Sequence, residues 1–334
     1  MTVMLDARVL EGVISMPDAI DLLEEMSRHE SAGRTTISAR LAAQFDGGWM
    51  RMMFGADYAT GYAATKAFHM VEGAGVRYVV SLYRLADGEL LAVMDGKLIT
   101  DLRTGAASGV VARKVPLNRP VTVGLIGAGH QSRTQLECLA TVYRVESATV
   151  YSPTAANRER FASEMSAKLG IRVEAAASAE AAARGRAIVV AATSSRSSEP
   201  VLRGAWLEGC RLLCAVGSTR PQSVEVDADC FRGAELIVID SRRAAEEAGD
   251  LQAAVRLSAA PDAKQTTLAD LVTGKALVPS GRVLFKSVGT ALQDLALAAR
   301  YYERLGQKAP AKVKSLASLK TPVSALFAEG RLKG

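Results

Sequence analysis

The feature that most constrains the fold is a series of short apolar segments after Pro120, each followed by a helical or turn-rich stretch. Apolar runs of five or six residues that alternate with helices predict a parallel sheet covered on both faces. The sequence therefore predicts an α/β fold with a doubly wound parallel sheet over about residues 119–288. Its expected strands are VTVGLIG, ATVYS, RVEAAA, AIVVAAT, RLLCAVG and ELIVID.

The segments before residue 119 predict a different, α+β architecture. Ser15 precedes the helical stretch MPDAIDLLEEMSRHESAG, which ends at Gly33. The segments VRYVVSLYRL and ELLAVMDGKLIT are rich in β-branched and aromatic residues and flank a short ADG turn, so they predict strands of an antiparallel sheet. We expect Arg103 to open a helix of small residues, RTGAASGVVARKV, that can pack close to another backbone.

A last helix, over about Thr290–Leu305, follows the segment FKSVGT and is expected to pack back on the first part of the chain. We therefore predict two domains. The first combines residues 1–118 with residues 289–334, including C-terminal helices. The second, residues 119–288, is inserted between these two parts.

The first strand of the predicted parallel sheet runs into Gly127 and Gly129, a GxGxxS form of the dinucleotide-binding fingerprint. Gly127 permits the tight turn, and Gly129 lets a pyrophosphate approach the backbone. The amides at the start of the following helix attract the charge of that group. This loop between a strand and a helix predicts a Rossmann-type domain that binds NAD or NADP. The predicted contacts here are Gly127, Ala128, Gly129, His130, Gln131 and Ser132.

The end of the second strand bears on the choice of cofactor. A carboxylate at this position normally bonds the ribose 2′-hydroxyl of NAD, and this chain has none there. The segment instead supplies Ser152, Thr154, Asn157 and Arg158. Hydroxyl and guanidinium groups donate to a phosphate that a carboxylate would repel. The sequence therefore favours NADP(H), with NAD(H) as the alternative.

Several segments together resemble the ornithine cyclodeaminase/μ-crystallin family in order and spacing. They include RTTISAR, ATKAF and LITDLRTGAASG near the start, and VGLIGAGHQSRTQLE, AVGSTRPQSVEV and FKSVGTALQDLALA further on. The resemblance implies an enzyme that binds an amino or imino acid between its N-terminal domain and the nicotinamide. It also implies a homodimer formed through the N-terminal sheet, which the apolar residues on both faces of VRYVVSLY favour as well.

The resemblance further implies that Arg40, Lys66 and Arg103 hold the substrate. Lys66 is the single formal charge in the stretch YATGYAATKAFHMV, so its burial would need an anionic partner. Arg103, at the start of a helix, would combine its guanidinium with free amides to bind a carboxylate. For Arg40, only the resemblance supports a role in substrate binding. Other residues that the resemblance implies at the cofactor cleft are Thr193, Val216, Gly217, Ser218, Val288 and Gly289.

Two positions depart from the family pattern. Thr219 stands where the cyclodeaminases and related alanine dehydrogenases of the family have a catalytic aspartate. Because a hydroxyl does not accept a proton near neutral pH as a carboxylate does, this change disfavours the lyase reaction and leaves reduction open. Phe54 stands where the family usually has proline, so we expect a different pocket wall.

The leading functional hypothesis is an NAD(P)H-dependent reductase of cyclic or linear α-imino acids, or an amino-acid dehydrogenase in reverse. Arg40 and Arg103 would fix the substrate carboxylate, and Lys66 would balance charge or protonate the imine nitrogen. The alternative is an ornithine cyclodeaminase that recycles NAD⁺, which would need another acid in place of the missing aspartate. Asp57 and Asp240 are the nearest options by sequence, but we expect both to be structural. A second alternative is a non-catalytic protein that binds NADPH and a small ligand.

Composition disfavours other classes of protein. Lys and Arg number 41 and Asp and Glu number 35, and a net charge of +6 over 334 residues is too small to indicate a nucleic-acid partner. No apolar run approaches the roughly 20 residues of a membrane span. The start, MTVMLDARVLEG, is unlike a secretion signal. Cys210 and Cys214 lie in an apolar segment and are expected to be core residues, so we predict no metal site and a reducing cytoplasm.

Overall fold

The computed structural model describes residues 2–117, 120–195 and 197–306, and the backbone of residues 311–313. The strands are β1 (Thr2–Leu5), β2 (Thr35–Ile37), β3 (Leu41–Phe45), β4 (Gly48–Asp57), β5 (Tyr62–Val71), β6 (Gly75–Arg84), β7 (Leu90–Asp95), β8 (Val121–Ile126), β9 (Val145–Tyr151), β10 (Arg172–Ala175), β11 (Ile188–Ala191), β12 (Leu212–Ala215), β13 (Leu236–Ile239), β14 (Gln265–Thr267), β15 (Val283–Lys286) and β16 (Ala311–Val313). The α-helices are α1 (Ala7–Leu10), α2 (Met16–Ser31), α3 (Gly96–Lys114), α4 (His130–Val142), α5 (Ala155–Leu169), α6 (Ala179–Ala183), α7 (Ala228–Arg232), α8 (Ala244–Glu247), α9 (Gly249–Arg256), α10 (Leu268–Val272) and α11 (Ala291–Leu305).

The predicted parallel sheet is confirmed. Its strands lie in the order β10-β9-β8-β11-β12-β15-β13-β14, and each neighbouring pair is parallel. The central strands β11, β12 and β15 are buried at every residue, as expected for strands covered on both faces. Sequence reasoning placed the six strands up to β13 and left β14 and β15 unassigned.

The first sheet joins the N-terminal strands in the order β16-β1-β7-β6-β5-β4-β2, with β3 paired to β4. The long strands β4, β5 and β6 form antiparallel ladders, and the ADG turn joins β6 to β7. Helix α11 packs against β4 and β5, and α2 and α3 lie beside it. The two sheets thus span residues 2–95 with 311–313, and residues 121–286. On this basis we propose the domain division at 1–118 with 289–334 and at 119–288.

Two helices begin where capping residues predict. Ser15 and Asp18 form a reciprocal capping box at the start of α2, so the first predicted helix is confirmed. Thr290 and Gln293 do the same for α11. The further C-terminal helices predicted for residues 289–334 would fall at 307–310 and 314–334, outside the described residues.

The segment ELLAVMDGKLIT does not form one strand as predicted. Strand β7 ends at Asp95, whose side chain accepts a hydrogen bond from the Lys97 N–H and caps α3. Helix α3 therefore begins at Gly96, which places Arg103 in its interior, where the amides are bonded within the helix. The prediction that Arg103 opens a helix beside free amides is wrong.

The small residues of α3 allow very close packing against α4. A Cβ atom at Gly105 would lie 2.7 Å from the Thr134 carbonyl oxygen, and one at Gly109 would lie 2.5 Å from Cys138 Sγ. The close approach predicted for this helix is therefore confirmed. One hydrophobic core, to which α3 and α4 contribute Val110 and Leu139, runs from the first sheet to the parallel sheet.

Candidate active site

A cavity of about 240 Å³ lies between the first sheet and the carboxyl ends of parallel strands. From the parallel sheet it is lined by residues that follow β11, β12 and β15, and α4 contributes Gln131. Ligands of open parallel sheets bind at this edge, where strand ends and helix starts converge. The position of the cavity therefore identifies it as the candidate active site.

Residue alternation along β4 determines what the first sheet offers to this cavity. Trp49, Arg51 and Met53 line it, whereas Met50, Met52 and Phe54 are exposed, as the period of two in a strand requires. Phe54 therefore does not form part of the pocket wall, and the expectation based on its departure from the family pattern is wrong.

Lys66 on β5 is buried at the cavity wall beside an acid that sequence reasoning missed. Its Nζ donates to Asp294 Oδ1 on α11 at 2.9 Å and to Thr100 Oγ1 on α3 at 2.7 Å. The Thr100 hydroxyl in turn donates to the Gly96 carbonyl, which fixes it as an acceptor. Burial lowers the pKa of Lys66 to about 8, and the Asp294 carboxylate opposes that shift. The anionic partner predicted for Lys66 is thus an internal carboxylate.

Arg103 and Arg40 both lie beside the Val288–Gly289 turn and line the same cavity. Arg103 Nη1 donates to Gln293 Oε1 at 3.3 Å, and its Nε lies 3.5 Å from Asp294 Oδ1. Arg40 Nη2 donates to the Val288 and Gly289 carbonyls.

Arg40 is also held by a carboxylate, because its Nη2 lies 3.0 Å from Glu247 Oε2. Burial lowers the pKa of Arg40, and Glu247 opposes that shift. The structure therefore brings the three predicted substrate-binding residues together in one site.

Three buried N–H donors in this site have no hydrogen-bond acceptor within the described part of the chain. They are Nε of Arg40, Nε of Arg103 and Nε1 of Trp49. Buried donors are nearly always paired in folded proteins, because an unpaired one costs free energy comparable to a lost hydrogen bond. The arrangement therefore favours a bound ligand that supplies acceptors, such as a carboxylate.

The glycine loop has the geometry that a dinucleotide requires. Gly127 adopts φ +113°, and a Cβ there would lie 2.3 Å from the Ala192 carbonyl oxygen, so only glycine fits. Gly129 precedes α4, and a Cβ there would meet no atom within 4 Å, which leaves room for a phosphate to approach. Of the other loop residues, Gln131 lines the cavity, Ser132 is buried, and His130 is the exposed first residue of α4. These residues fit a nicotinamide dinucleotide.

The four residues predicted around a 2′-phosphate lie in the loop after β9 and in the first turn of α5. Thr154 precedes α5, and its side chain makes no capping hydrogen bond. Arg158 Nη1 donates to the Ser152 carbonyl at 2.9 Å, and Asn157 Oδ1 accepts from Arg160. Arg158 thus contacts the loop after β9, at which the 2′-phosphate is predicted to bind.

The ends of β11 and β12 are joined by a buried carboxylate that sequence reasoning also missed. Glu225 accepts hydrogen bonds from the Thr193 N–H and the Gly217 N–H, the latter at 2.8 Å. Thr193, Val216 and Gly217 line the cavity. The Ser218 side chain, in contrast, is buried and donates to the Ser223 carbonyl, so the structure does not bring its hydroxyl to the site.

Asp240 shapes the turn that carries Val288 and Gly289. One of its oxygens accepts hydrogen bonds from Ser287 Oγ, the Val288 N–H and the Gly289 N–H. Gly289 has φ +80°, and a Cβ there would overlap the Arg103 guanidinium. Val288 lines the cavity, whereas Asp240 supports the turn from behind.

The missing family aspartate has no direct replacement at its own position, because Thr219 lines the cavity there. Asp57 bonds His29 Nδ1 at 2.9 Å in a separate cavity between α2 and α11, so it does not reach this site. Asp294 is the carboxylate that the structure places beside Lys66. Asp294 is the single charged residue in the apolar stretch SVGTALQDLALAA. A single charge in an uncharged stretch also pointed to Lys66, and the same signal would have identified Asp294.

No group of three or more His, Cys, Asp or Glu side chains within the described ranges is arranged to hold a metal ion. Cys210 and Cys214 are buried in the core as predicted, and burial raises the pKa of their thiols to about 11 and about 12. None of the helices in the part of the chain that the structure describes is both long and apolar enough to cross a membrane.

A dinucleotide loop at the ends of parallel strands, which faces a cavity with a buried lysine and arginines, defines a nicotinamide-dependent oxidoreductase. Residues 1–309 match the sequence profile of the ornithine cyclodeaminase/mu-crystallin family, and the chain belongs to this family, as the resemblance predicted.

Three relatives document the similarity. Alanine dehydrogenase from Archaeoglobus fulgidus is 29% identical over 327 residues, which cover 94% of this chain and 98% of that one. The structure of Thermococcus litoralis Δ1-pyrroline-2-carboxylate reductase with NADH and L-proline is 29% identical and has a TM-score of 0.87. The matched region covers 93% of this chain and 100% of the reductase chain. An archaeal alanine dehydrogenase dimer with bound NAD is 27% identical, covers 94% and 99%, and has a TM-score of 0.85. The chain is an NAD(P)-dependent oxidoreductase that acts on C=N and CH–NH bonds.

Proposed function

We propose that the protein is an NAD(P)H-dependent reductase of cyclic or linear α-imino acids, of the ketimine or Δ1-pyrroline-2-carboxylate reductase kind. In reverse it would act as an amino-acid dehydrogenase. The observation that carries this proposal is the buried Lys66 amine, which lies in one cavity with Arg40, Arg103 and the ends of the cofactor-binding strands. The activities of the similar Δ1-pyrroline-2-carboxylate reductase and alanine dehydrogenases support it.

In the proposed complex, Gly127, Gly129 and the start of α4 hold the pyrophosphate, while Thr193, Val216, Gly217 and Val288 surround the nicotinamide. NAD(P)H supplies the hydride when it is bound. We further propose a preference for NADP(H), because the loop after β9 offers Arg158 and hydroxyl groups and no carboxylate. The Arg158 bonds to loop carbonyls use Nη1 alone and leave its other nitrogens as donors for a 2′-phosphate.

The substrate carboxylate is held by Arg103 and Arg40 in this proposal. The Arg40 Nε–H has no hydrogen-bond acceptor in the described structure, and Arg103 Nε has only the 3.5 Å ion contact with Asp294, so a substrate carboxylate beside the two guanidinium groups would add acceptors for both. The Gln293 and Val288 contacts fix the two guanidinium groups in place. Orientation of this kind contributes up to about 7–11 kcal/mol to lowering a barrier between two bound reactants.

Lys66 is the proposed proton donor. An ammonium group has three N–H donors, and two of these bond Asp294 and Thr100, which leaves one for the imine nitrogen. A pKa of about 8 makes the transfer efficient near neutral pH. In the reaction, hydride adds to the imine carbon, the C=N π bond breaks, and the nitrogen takes the Lys66 proton. The products are an amino acid and NAD(P)⁺, and Lys66 regains a proton from solvent.

The ornithine cyclodeaminase reaction is the second candidate, favoured by one observation. Asp294 Oδ2 is a buried acceptor without a hydrogen-bond donor in the described structure, and it places an acid next to the cavity-lining Lys66 although Thr219 stands at the family position. Net oxidation of reduced cofactor separates the two reactions, because a cyclodeaminase returns the hydride and releases ammonia.

We also propose a homodimer formed through the outer face of the first sheet. Leu41, Phe45, Met50, Met52 and Phe54 are exposed along β3 and β4, with exposed fractions between 37% and 68%. A continuous apolar face of this kind is typical of an interface between subunits. The similar archaeal alanine dehydrogenase is a dimer, which supports a dimer here without bearing on the face that forms it.

The test of the proposed activity follows nicotinamide absorbance with Δ1-pyrroline-2-carboxylate and Δ1-piperideine-2-carboxylate, and ammonia release from ornithine in parallel. Steady oxidation of NADPH or NADH is expected, and Lys66→Met should abolish it while cofactor binding persists. Cofactor binding without oxidation of either imine would refute the reductase. Ammonia release from ornithine would then favour the lyase, and its absence a non-catalytic binder.

A further inference from the structure

The cavity contains a second group of cationic and aromatic side chains that the proposed reduction does not use. Trp49 and Arg51 come from β4, and Arg220 comes from the loop after β12. Arg51 Cζ lies 4.8 Å from the Trp49 ring centroid, and Arg220 Cζ lies 5.4 Å from it. Guanidinium groups that stack on an aromatic ring keep their in-plane N–H groups as donors.

The charges that line the cavity are unbalanced. Arg40 is paired with Glu247 and Lys66 with Asp294. The α-carboxylate of an imino acid would balance Arg103. Arg51 forms no ion pair with any carboxylate of the described residues, and no acidic side chain from the described chain lines the cavity. Burial lowers the pKa of Arg51, and the nearby Arg40 and Arg220 lower it further, so an anion at this place would relieve an unfavourable arrangement.

Trp49 provides a neutral donor at the same place. Its indole Nε1–H is buried and has no acceptor within the described residues, although an indole N–H usually finds a partner when it is buried. One anion that accepts from Arg51 and from Trp49 would satisfy both groups.

Strand register gives the distance between this place and the reacting nitrogen. Met53 lies opposite Lys66 and Arg51 lies opposite Phe68, so Arg51 is one side-chain row from Lys66 on the same face. Two residues of a strand span about 7 Å. A substrate held at Lys66 and Arg103 therefore reaches the Arg51 row with a side chain of two or three carbons.

We propose that Trp49, Arg51 and Arg220 form a subsite for a second carboxylate, and that the substrates are α-imino dicarboxylic acids of four or five carbons. The products are then acidic α-amino acids. A carboxylate suits the subsite better than a phosphate because it is smaller. The cavity of about 240 Å³ must also hold the imino group against the nicotinamide. This proposal rests on the reductase activity proposed above and names its substrate class.

The kinetic test compares two four-carbon substrates that differ in the distal group. Oxaloacetate or 2-oxobutyrate is mixed with ammonium to form the imine, and oxidation of NADPH and of NADH is followed with and without ammonium. We expect kcat/KM to be about 100-fold higher for the dicarboxylate. Arg51→Gln should lower the ratio of the dicarboxylate to the monocarboxylate kcat/KM at least about tenfold. Arg77→Gln, at an exposed position on β6, is the matched control and should change neither.

A binding test judges the subsite independently of turnover. The Trp206→Phe variant leaves Trp49 as the single tryptophan, and its fluorescence is titrated with succinate or butyrate in the presence of NAD⁺. We expect succinate to bind at least about tenfold more tightly, and Arg51→Gln to remove the difference. Equal responses to the two acids, or equal effects of Arg51→Gln on both substrates, overturn the subsite. Failure to oxidise cofactor with any imine, while succinate remains preferred, overturns the proposed activity alone.

Discussion

Replacement of Asp294 by asparagine removes one negative charge beside Lys66 and keeps the shape of the side chain. The asparagine oxygen can still accept the hydrogen bond that Asp294 Oδ1 accepts from Lys66. In the native protein this carboxylate opposes the effect of burial, which lowers the pKa of Lys66 to about 8. Its removal should therefore lower the pKa of Lys66 further.

The size of the change follows from the separation of the two charges. At 2.9 Å and an effective dielectric constant of about 20, the Coulomb energy is about 6 kcal/mol, an upper limit. One pKa unit corresponds to about 1.4 kcal/mol, so even a quarter of this energy lowers the pKa by about one unit. At pH 8 the protonated fraction of Lys66 would then fall from about one half to about one tenth.

The assay is the pH dependence of kcat/KM for imine reduction, which reports the ionisation of the free enzyme. A proton donor must be protonated, so activity should fall as pH rises through the pKa. We expect this descending limb near pH 8 in the native enzyme and near pH 7 or below in Asp294→Asn. Between pH 6 and pH 8 the variant should lose roughly tenfold in kcat/KM, whereas the native enzyme should lose about twofold.

Two further variants make the result specific. Asp294→Glu keeps the charge and should keep the limb near pH 8. Asp57→Asn removes a carboxylate that is equally buried but pairs with His29 outside the cavity, so it should leave the limb in place. Thermal unfolding of each variant confirms that it is folded. An unchanged limb in Asp294→Asn, or a shift to higher pH, would refute the assignment of Lys66 as the proton donor.

Three other predictions concern the cofactor, the interface and the fold. Arg158→Gln should raise the KM for NADPH at least about tenfold and leave that for NADH unchanged, and equal effects would contradict a 2′-phosphate site. Met52→Asp should produce monomers in light scattering, whereas Leu277→Asp, at an exposed position outside the first sheet, should not; a dimer that survives Met52→Asp contradicts the interface. Gly105→Ala should lower the free energy of unfolding by about 1–2 kcal/mol, because its Cβ would lie 2.7 Å from the Thr134 carbonyl oxygen. A denaturant titration that shows no loss would contradict such close helix packing.

Local signals in the sequence were sufficient for elements that depend on a few neighbouring residues. Ser15 with Asp18 fixes the start of α2 through hydrogen bonds within one turn. The glycine loop follows from the need for positive φ at Gly127 and from its place between a strand and a helix. The parallel strands were recognisable because burial on both faces leaves no alternation in the sequence.

Other features depend on contacts that no local pattern records. The residues after Asp95 continue the apolar character of β7, yet they form α3 because this helix packs against α2 and α4. The place of Arg51 in the cavity depends on the register of β4 against β5, and that of Arg220 on a loop from the other sheet. Phe54 was misplaced for the same reason, because its face of β4 is set by register.

The close packing of α3 against α4 has a consequence for how such an enzyme can change over evolution. Helix α3 carries Arg103, and α4 begins at the glycine loop, so in the proposed complex close contact between the helices would set the distance from the substrate carboxylate to the nicotinamide. Strand β4, which carries Arg51, belongs to neither helix. If both proposals hold, separate elements determine hydride geometry and substrate choice, and substitutions on β4 would change the substrate while the positions of the reacting groups stay the same.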